Sequence, residues 1–285
     1  MSHKQQGARG KQQAVRSKGE KETPHCSLLT AHPGGLSQGV LIALEGIDGA
    51  GKTTQAQLLK DFLRQKGFEV VCFKEPTPGP WGRKIAEIAR WGRKGISAQE
   101  EMELFLRDRE EDVRDNILPA LRENKIVIMD RYYYSSIAYQ GALGLDPNEI
   151  KEINEQRFPK PDLVFILTIP PAEGIKRILS RGQGSGIRGP QRSPAYEEET
   201  YLTRVAKIFH ELAKNKEPRT KNQEQRTKNK EQRTKSYEPS AKGLLEPPST
   251  HCLLIDGMRQ INIVHQEIAP SVLDRLSPLM RCSCP

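Results

Sequence analysis

No apolar run in the 285-residue chain approaches the ~18 to 20 residues needed to cross a bilayer. The N-terminal residues are polar and lack the apolar stretch of a secretory signal. A soluble, cytoplasmic protein without a membrane partner is the expectation. Cysteine is scarce: Cys26, Cys72, Cys252, Cys282 and Cys284 are odd in number and scattered, which argues against a disulfide framework and for a reducing compartment. Cys282 and Cys284 form a lone C-x-C, and a metal site there lacks two further ligands in the surrounding sequence. Apolar residues make up only 35% of the chain, so part of it is expected to lie outside any core.

Charge shows which part. The chain carries +9 in all, but residues 1–38 hold six Lys/Arg against two Glu, and residues 214–242 hold ten against four. The rest carries −1. A basic protein invites a nucleic-acid reading, yet here the basicity belongs to appendages and the foldable part is nearly neutral. A nucleic-acid partner is therefore not expected. Residues 1–38, rich in Lys, Gln, Gly and Ser, would lose chain entropy on ordering without burying much surface, and read as a disordered basic tail.

Residues 214–249 are a low-complexity insertion. A seven-residue unit beginning at Glu217, Glu224 and Glu231 repeats there, but no position in it is consistently apolar, which excludes the seam of a coiled coil. A solvated polar excursion is one reading, and a basic arm touching acidic partners the other. Residues 279–285 read as a short C-terminal tail.

The foldable part, 39–213 with 250–278, alternates two textures. Short apolar runs occur at Val40–Leu44, Glu69–Phe73, Lys125–Met129, Asp162–Ile169 and Cys252–Ile255, as buried parallel strands would read. Helical spacing lies between them, as in Leu58, Leu59, Phe62 and Leu63, and in Val113, Ile117, Leu118 and Leu121. This alternation predicts an α/β protein: a five-stranded parallel sheet flanked by helices in three layers, with ligands at the carboxyl ends of the strands.

Gly46-Ile47-Asp48-Gly49-Ala50-Gly51-Lys52-Thr53 fits G-x-x-x-x-G-K-[ST] and stands between a predicted strand and a predicted helix, the context this phosphate-binding loop requires. Its glycines let successive N–H groups and a helix N-terminus face an anion. Lys52 is placed to reach nucleotide phosphates and the Thr53 hydroxyl to ligate Mg²⁺, which makes ATP and Mg²⁺ the expected ligands. Asp48 is a carboxylate inside an anion cradle, so it faces either a sugar hydroxyl of a second substrate or its own turn. Asp130-Arg131, at the end of the third predicted strand, sets an acid for the metal shell beside a base for a phosphate.

From Asp130 the chain continues Arg131-Tyr132-Tyr133-Tyr134-Ser135-Ser136-Ile137-Ala138-Tyr139-Gln140-Gly141. This stretch resembles the D-R-[YH]-x-x-S-x-x-A-[YF]-x-G segment of thymidylate kinases. Lys74-Glu75-Pro76 resembles the family's R-E-P, Phe105-x-x-x-Arg109 its F-x-x-x-R, and Pro161-Asp162-Leu163 its P-D-L strand. Tyr196-Glu197 and Phe209 resemble positions of the helix after the family's lid.

The resemblance implies a P-loop fold and transfer of the ATP γ-phosphoryl group to the 5′-phosphate of dTMP, on the path to dTTP. It implies that Gly46 to Thr53 hold ATP, that Thr53 and Asp130 organise Mg²⁺, and that Arg131 and Arg109 hold the acceptor phosphate. Asp48 would meet the deoxyribose, Phe105 stack on the base, and Glu75, Tyr132 and Tyr139 complete the pocket. The sequence also allows Phe105 to be an ordinary core aromatic. Gly49 places the chain with members that lack an arginine in the loop and supply one from the lid, here Arg181, Arg188 or Arg192. A homodimer is likewise implied. The competing readings are a kinase for another nucleoside monophosphate, and a P-loop ATPase or decayed homologue whose basic segments touch nucleic acid.

Overall fold

The computed structural model describes residues 35–93, 95–183, 195–214 and 250–280, without the side chains of 181–183 and 195–198. The lid arginines Arg188 and Arg192, the side chain of Arg181, the repeats and most of the two expected tails lie outside the described residues.

Five parallel strands form one sheet in the order β2-β3-β1-β4-β5. They are β1 (Val40–Glu45), β2 (Val70–Lys74), β3 (Ile126–Asp130), β4 (Leu163–Thr168) and β5 (His251–Asp256). Every apolar run of the sequence became a strand. All residues of β1 and β3 are buried, as strands covered on both faces must be. Leu44 of β1 lies beside Asp130 of β3, and this register sets the two strand ends, Glu45-Gly46 and Asp130-Arg131, next to each other. The chain leaves β1 for β2 on one side, while β4 lies on the other, so the crevice between them opens over β1, where such sheets bind ligands.

The helices are α1 (Lys52–Gln65), α2 (Pro80–Trp91), α3 (Ala98–Asp112), α4 (Leu118–Arg122), α5 (Tyr133–Gly141), α6 (Pro147–Arg157), α7 (Pro171–Gln183), α8 (Ala195–Lys214) and α9 (Ile261–Leu276). The α1 face expected from Leu59 and Leu63 is fully buried against the sheet. Ser97 starts α3 with a capping box, its hydroxyl accepting from the Glu100 N–H and the Glu100 carboxylate accepting from the Ser97 N–H. The apolar spacing at Val113 and Ile117 builds a π-helical turn over Val113–Ile117, and both side chains are buried.

Residues flanking the expected 39–278 domain pack against it at both ends. Leu36 is buried in the apolar cluster and forms an antiparallel bridge with Met280, and the Ser37 N–H donates to the Leu279 carbonyl at 2.8 Å. A single leucine between glycines and polar residues carries no periodicity, so its burial leaves no trace in the sequence.

Candidate active site

The phosphate loop is held in shape from behind. Gly49 has φ 83°, and a Cβ there would stand 2.6 Å from the Gly174 carbonyl oxygen of α7; a Cβ on Gly174 would stand 2.6 Å from the Asp48 carbonyl oxygen. The two glycines permit a backbone-to-backbone approach that no side chain fits, which excludes an arginine at position 49. The Arg177 guanidinium of α7 donates to the Gly49 carbonyl at 3.4 Å and to the Gly257 carbonyl at 3.2 Å, tying the loop to the turn after β5. Gly51, at φ 99°, turns the chain into α1.

Lys52 is buried and its ammonium donates to the Ile47 carbonyl at 2.8 Å. Burial and the neighbouring Arg131 charge depress its pKa to about 7. The Thr53 hydroxyl donates to an Asp130 carboxylate oxygen at 2.5 Å, bringing the two expected metal-organising oxygens together at the mouth of the loop.

Arg131 is a non-glycine residue at φ 75°, in the left-handed region. That turn sends its guanidinium back over the loop, where it donates to the Gly46 carbonyl at 3.2 Å and the Ser135 hydroxyl at 3.0 Å and pairs with Asp48. Burial works against the Asp48 carboxylate, but Arg131 and Lys52 outweigh it and hold its pKa at about 2. The Tyr139 hydroxyl donates to Asp48 at 3.3 Å, with Arg131 stacked over its ring at 5.2 Å from the centroid. Asp48, Arg131 and Tyr139 thus form one constellation beside Lys52.

Three of the other expected substrate contacts lie elsewhere. Arg109 is 1% exposed; its Nε and Nη2 donate to the Glu75 carboxylate, Nη2 also to the Ser136 hydroxyl at 3.1 Å, and Nη1 to Asn154 Oδ1 at 2.6 Å. Glu75 is buried with it. Burial pushes the Glu75 carboxyl upward while Arg109 pulls the other way. Tyr132 is fully buried, its hydroxyl donating to the Pro159 carbonyl at 3.1 Å. None of the three presents a surface to the recess. A motif shows that residues co-occur, not that a guanidinium has already spent its donors on a neighbouring carboxylate. Phe105, one turn before Arg109 on α3, is half-buried and stands outside the apolar cluster, against the core-aromatic alternative. Tyr133 and Tyr134 are buried and stacked on each other, as structural residues.

Glu45 is the residue that the sequence reading missed. It is fully buried at the end of β1, accepts from the Tyr132 N–H at 2.7 Å and the Ser135 hydroxyl at 2.6 Å, and so fixes the turn carrying Arg131. Desolvation raises its pKa to about 7. Its one signal is a carboxylate closing an apolar run directly onto a glycine. Asn154, Ser136 and Arg177 carried no signal, because their partners are distant in sequence.

A five-stranded parallel sheet with a lysine-bearing glycine loop between its central strand and first helix defines a nucleotide-binding protein of the P-loop NTPase fold. The thymidylate kinase family model matches residues 44–221. The chain is 45% identical over 174 residues to a protein of Archaeoglobus fulgidus named "Probable thymidylate kinase", spanning 61% of this chain and 82% of that one. It is 51% identical over 150 residues to a thymidylate kinase of Xanthomonas campestris pv. campestris, covering 53% of this chain and 63% of that protein's length. A crystal structure of thymidylate kinase from Ehrlichia chaffeensis has a TM-score of 0.54 at 24% identity, covering 82% of this chain and 98% of that one, a likeness of fold. The chain belongs to the thymidylate kinase family.

Proposed function

We propose that this chain phosphorylates dTMP to dTDP at the expense of ATP. Family membership supports the reaction, and the observation that carries it to this site is the Asp48–Arg131–Tyr139 constellation beside Lys52. A phosphate loop that only hydrolysed ATP has no use for a carboxylate paired to an arginine at its lip. A second substrate carrying both an anion and a hydroxyl has use for both.

In this reading the loop amides and Lys52 bind the ATP phosphates. Thr53 and Asp130 fit Mg²⁺: they bring two hard oxygen donors within 2.5 Å of each other, and no group of three or more His, Cys, Asp or Glu among the described residues forms a dedicated metal cage. A site of that kind suits a cation held largely by water and substrate phosphates. The ion supplies charge neutralisation at the transferring phosphate. Arg131 turns from Asp48 to the acceptor phosphate, freeing Asp48 for the sugar hydroxyl, and Tyr139 closes the sugar side. Phe105 offers its ring to the base.

The acceptor is already an anionic nucleophile, so positioning and charge neutralisation do the work, without a tuned general base. Glu75 and Arg109 act behind the site, locking the turn after β2 to α3. The arginine that neutralises the transferring group is assigned to Arg181, Arg188 or Arg192, because Gly49 leaves no room for one in the loop. The same reading makes the protein a cytoplasmic homodimer, and makes the basic residues ahead of Leu36 and the 214–249 insertion appendages; a 214–249 deletion that abolished turnover would overturn the latter.

A coupled ADP-release assay with ATP, Mg²⁺ and dTMP, dUMP, dCMP, dGMP or AMP tests the function beside Lys52→Ala. Turnover confined to dTMP and lost in the variant is expected. Preference for another monophosphate would overturn the base assignment, and no turnover with any would overturn the reading altogether.

A further inference from the structure

Helix α5 delivers Tyr139 to the recess, and it ends two residues later at Gly141. The last carbonyls of a helix have no intrahelical donor. At this end Ala138 accepts from the Ala142 N–H, Gln140 from those of Leu143 and Leu145, and Gly141 from that of Gly144. The Tyr139 carbonyl is met instead from another element: the hydroxyl of Tyr201, on α8, donates to it at 2.9 Å.

Tyr201 is itself held. Arg93, between α2 and α3, donates from Nη2 to the Tyr201 hydroxyl at 3.0 Å and lies over its ring at 4.9 Å from the centroid. Arg93 Nε donates at 2.6 Å to Glu101 of α3, whose other oxygen accepts from Gln140 Nε2 at 3.1 Å. The Tyr201 and Phe209 rings of α8 meet the Tyr139 ring edge-on, with centroids at 6.2 and 6.4 Å. Tyr139 is therefore fixed at its backbone by one hydroxyl and at its ring by two aromatics, all from α8. Its own hydroxyl is what remains to meet Asp48.

We propose that Tyr201, braced by Arg93, is a positioning residue for acceptor binding: its hydroxyl caps α5 from outside and sets Tyr139 against Asp48. The proposal rests on the assignment of the Asp48–Arg131–Tyr139 recess to dTMP. Tyr201 touches no substrate in this scheme. Its effect passes through Tyr139 alone, which distinguishes it from a residue that merely supports the fold.

Tyr201→Phe keeps the ring and removes the hydroxyl. Loss of one hydrogen bond to an otherwise unpaired carbonyl is expected to raise the KM and Kd for dTMP about tenfold, with kcat and the KM for ATP within about twofold of wild type. In a Tyr139→Phe background, where the hydroxyl that Tyr201 positions is gone, the same substitution should add nothing further. Arg93→Met, which leaves Tyr201 in place, should move the dTMP values in the same direction by a smaller factor and keeps the test open if Tyr201→Phe does not fold. Unchanged dTMP binding in Tyr201→Phe, effects that multiply in the Tyr139→Phe background, or an Arg93→Met variant equal to wild type would each overturn the proposal. A wild-type chain that neither binds nor phosphorylates dTMP would instead sink the assignment of the recess.

Discussion

Replacing Glu45 with glutamine isolates the energetic cost of the site. Burial lifts the Glu45 carboxyl from 4.5 to about 7, so between those values the folded chain holds a proton that the unfolded chain has released. Stability therefore falls as pH rises through this window and levels off above it. A difference of that size corresponds to about 3 kcal/mol at pH 8. Glutamine is nearly isosteric and still accepts from the Tyr132 N–H, so it removes the pH-dependent cost. Its amide cannot accept from the Ser135 hydroxyl, which offsets about 1 kcal/mol of the gain. Urea melts at pH 5, 6, 7 and 8 should show Glu45→Gln near or slightly below wild type at pH 5 and about 2 kcal/mol more stable at pH 8, with equal m-values.

Activity should move the other way. Ser135 donates to Glu45 and accepts from Arg131. With glutamine its oxygen is contested by a second donor, so the hold on Arg131 loosens and kcat/KM falls. Parallel stability curves for the two proteins across the pH range would refute the assignment of a buried, costly carboxylate at this position.

Lys52, depressed to about 7, should take up close to one proton at pH 8 when nucleotide phosphates bind, so affinity falls as pH rises through that value; calorimetry in buffers of different ionisation enthalpy reads this directly, and a zero slope contradicts it. Gly49→Ala forces a Cβ into the Gly174 carbonyl from a positive-φ position, and should destabilise the fold by about 2 kcal/mol and weaken ATP binding, measured by melting with and without nucleotide. Arg109→Met leaves Glu75 buried without its cation and should cost about 3–5 kcal/mol, whereas Arg109→Met combined with Glu75→Leu should recover part of it; an additive double mutant in urea denaturation would disprove the clamp.

The architecture was legible because it rests on local patterns. Short apolar runs bounded by glycine, proline or charged residues marked all five strands to within a residue, and the glycine loop stood where a strand meets a helix. The Asp48–Arg131 pairing was half legible: both residues stood out as charges in places that need a reason, but nothing local shows that they face each other. The Glu75–Arg109–Asn154 clamp was not legible at all, since it joins residues 34 and 45 positions apart on three elements. The same distance hid the Tyr201 cap on α5. Leu36 illustrates the opposite failure, a buried residue whose neighbours in sequence all resemble a tail.

The left-handed backbone at Arg131 sets a limit on how far this protein can be stabilised without losing its purpose. A non-glycine residue there costs about 1–2 kcal/mol, and glycine or asparagine would relieve it. Neither has a guanidinium to lay across the loop. Selection for heat resistance alone would drift toward those substitutions and discard the group that reaches Asp48. At this one position, the sturdiest sequence for the fold and the working one are different sequences.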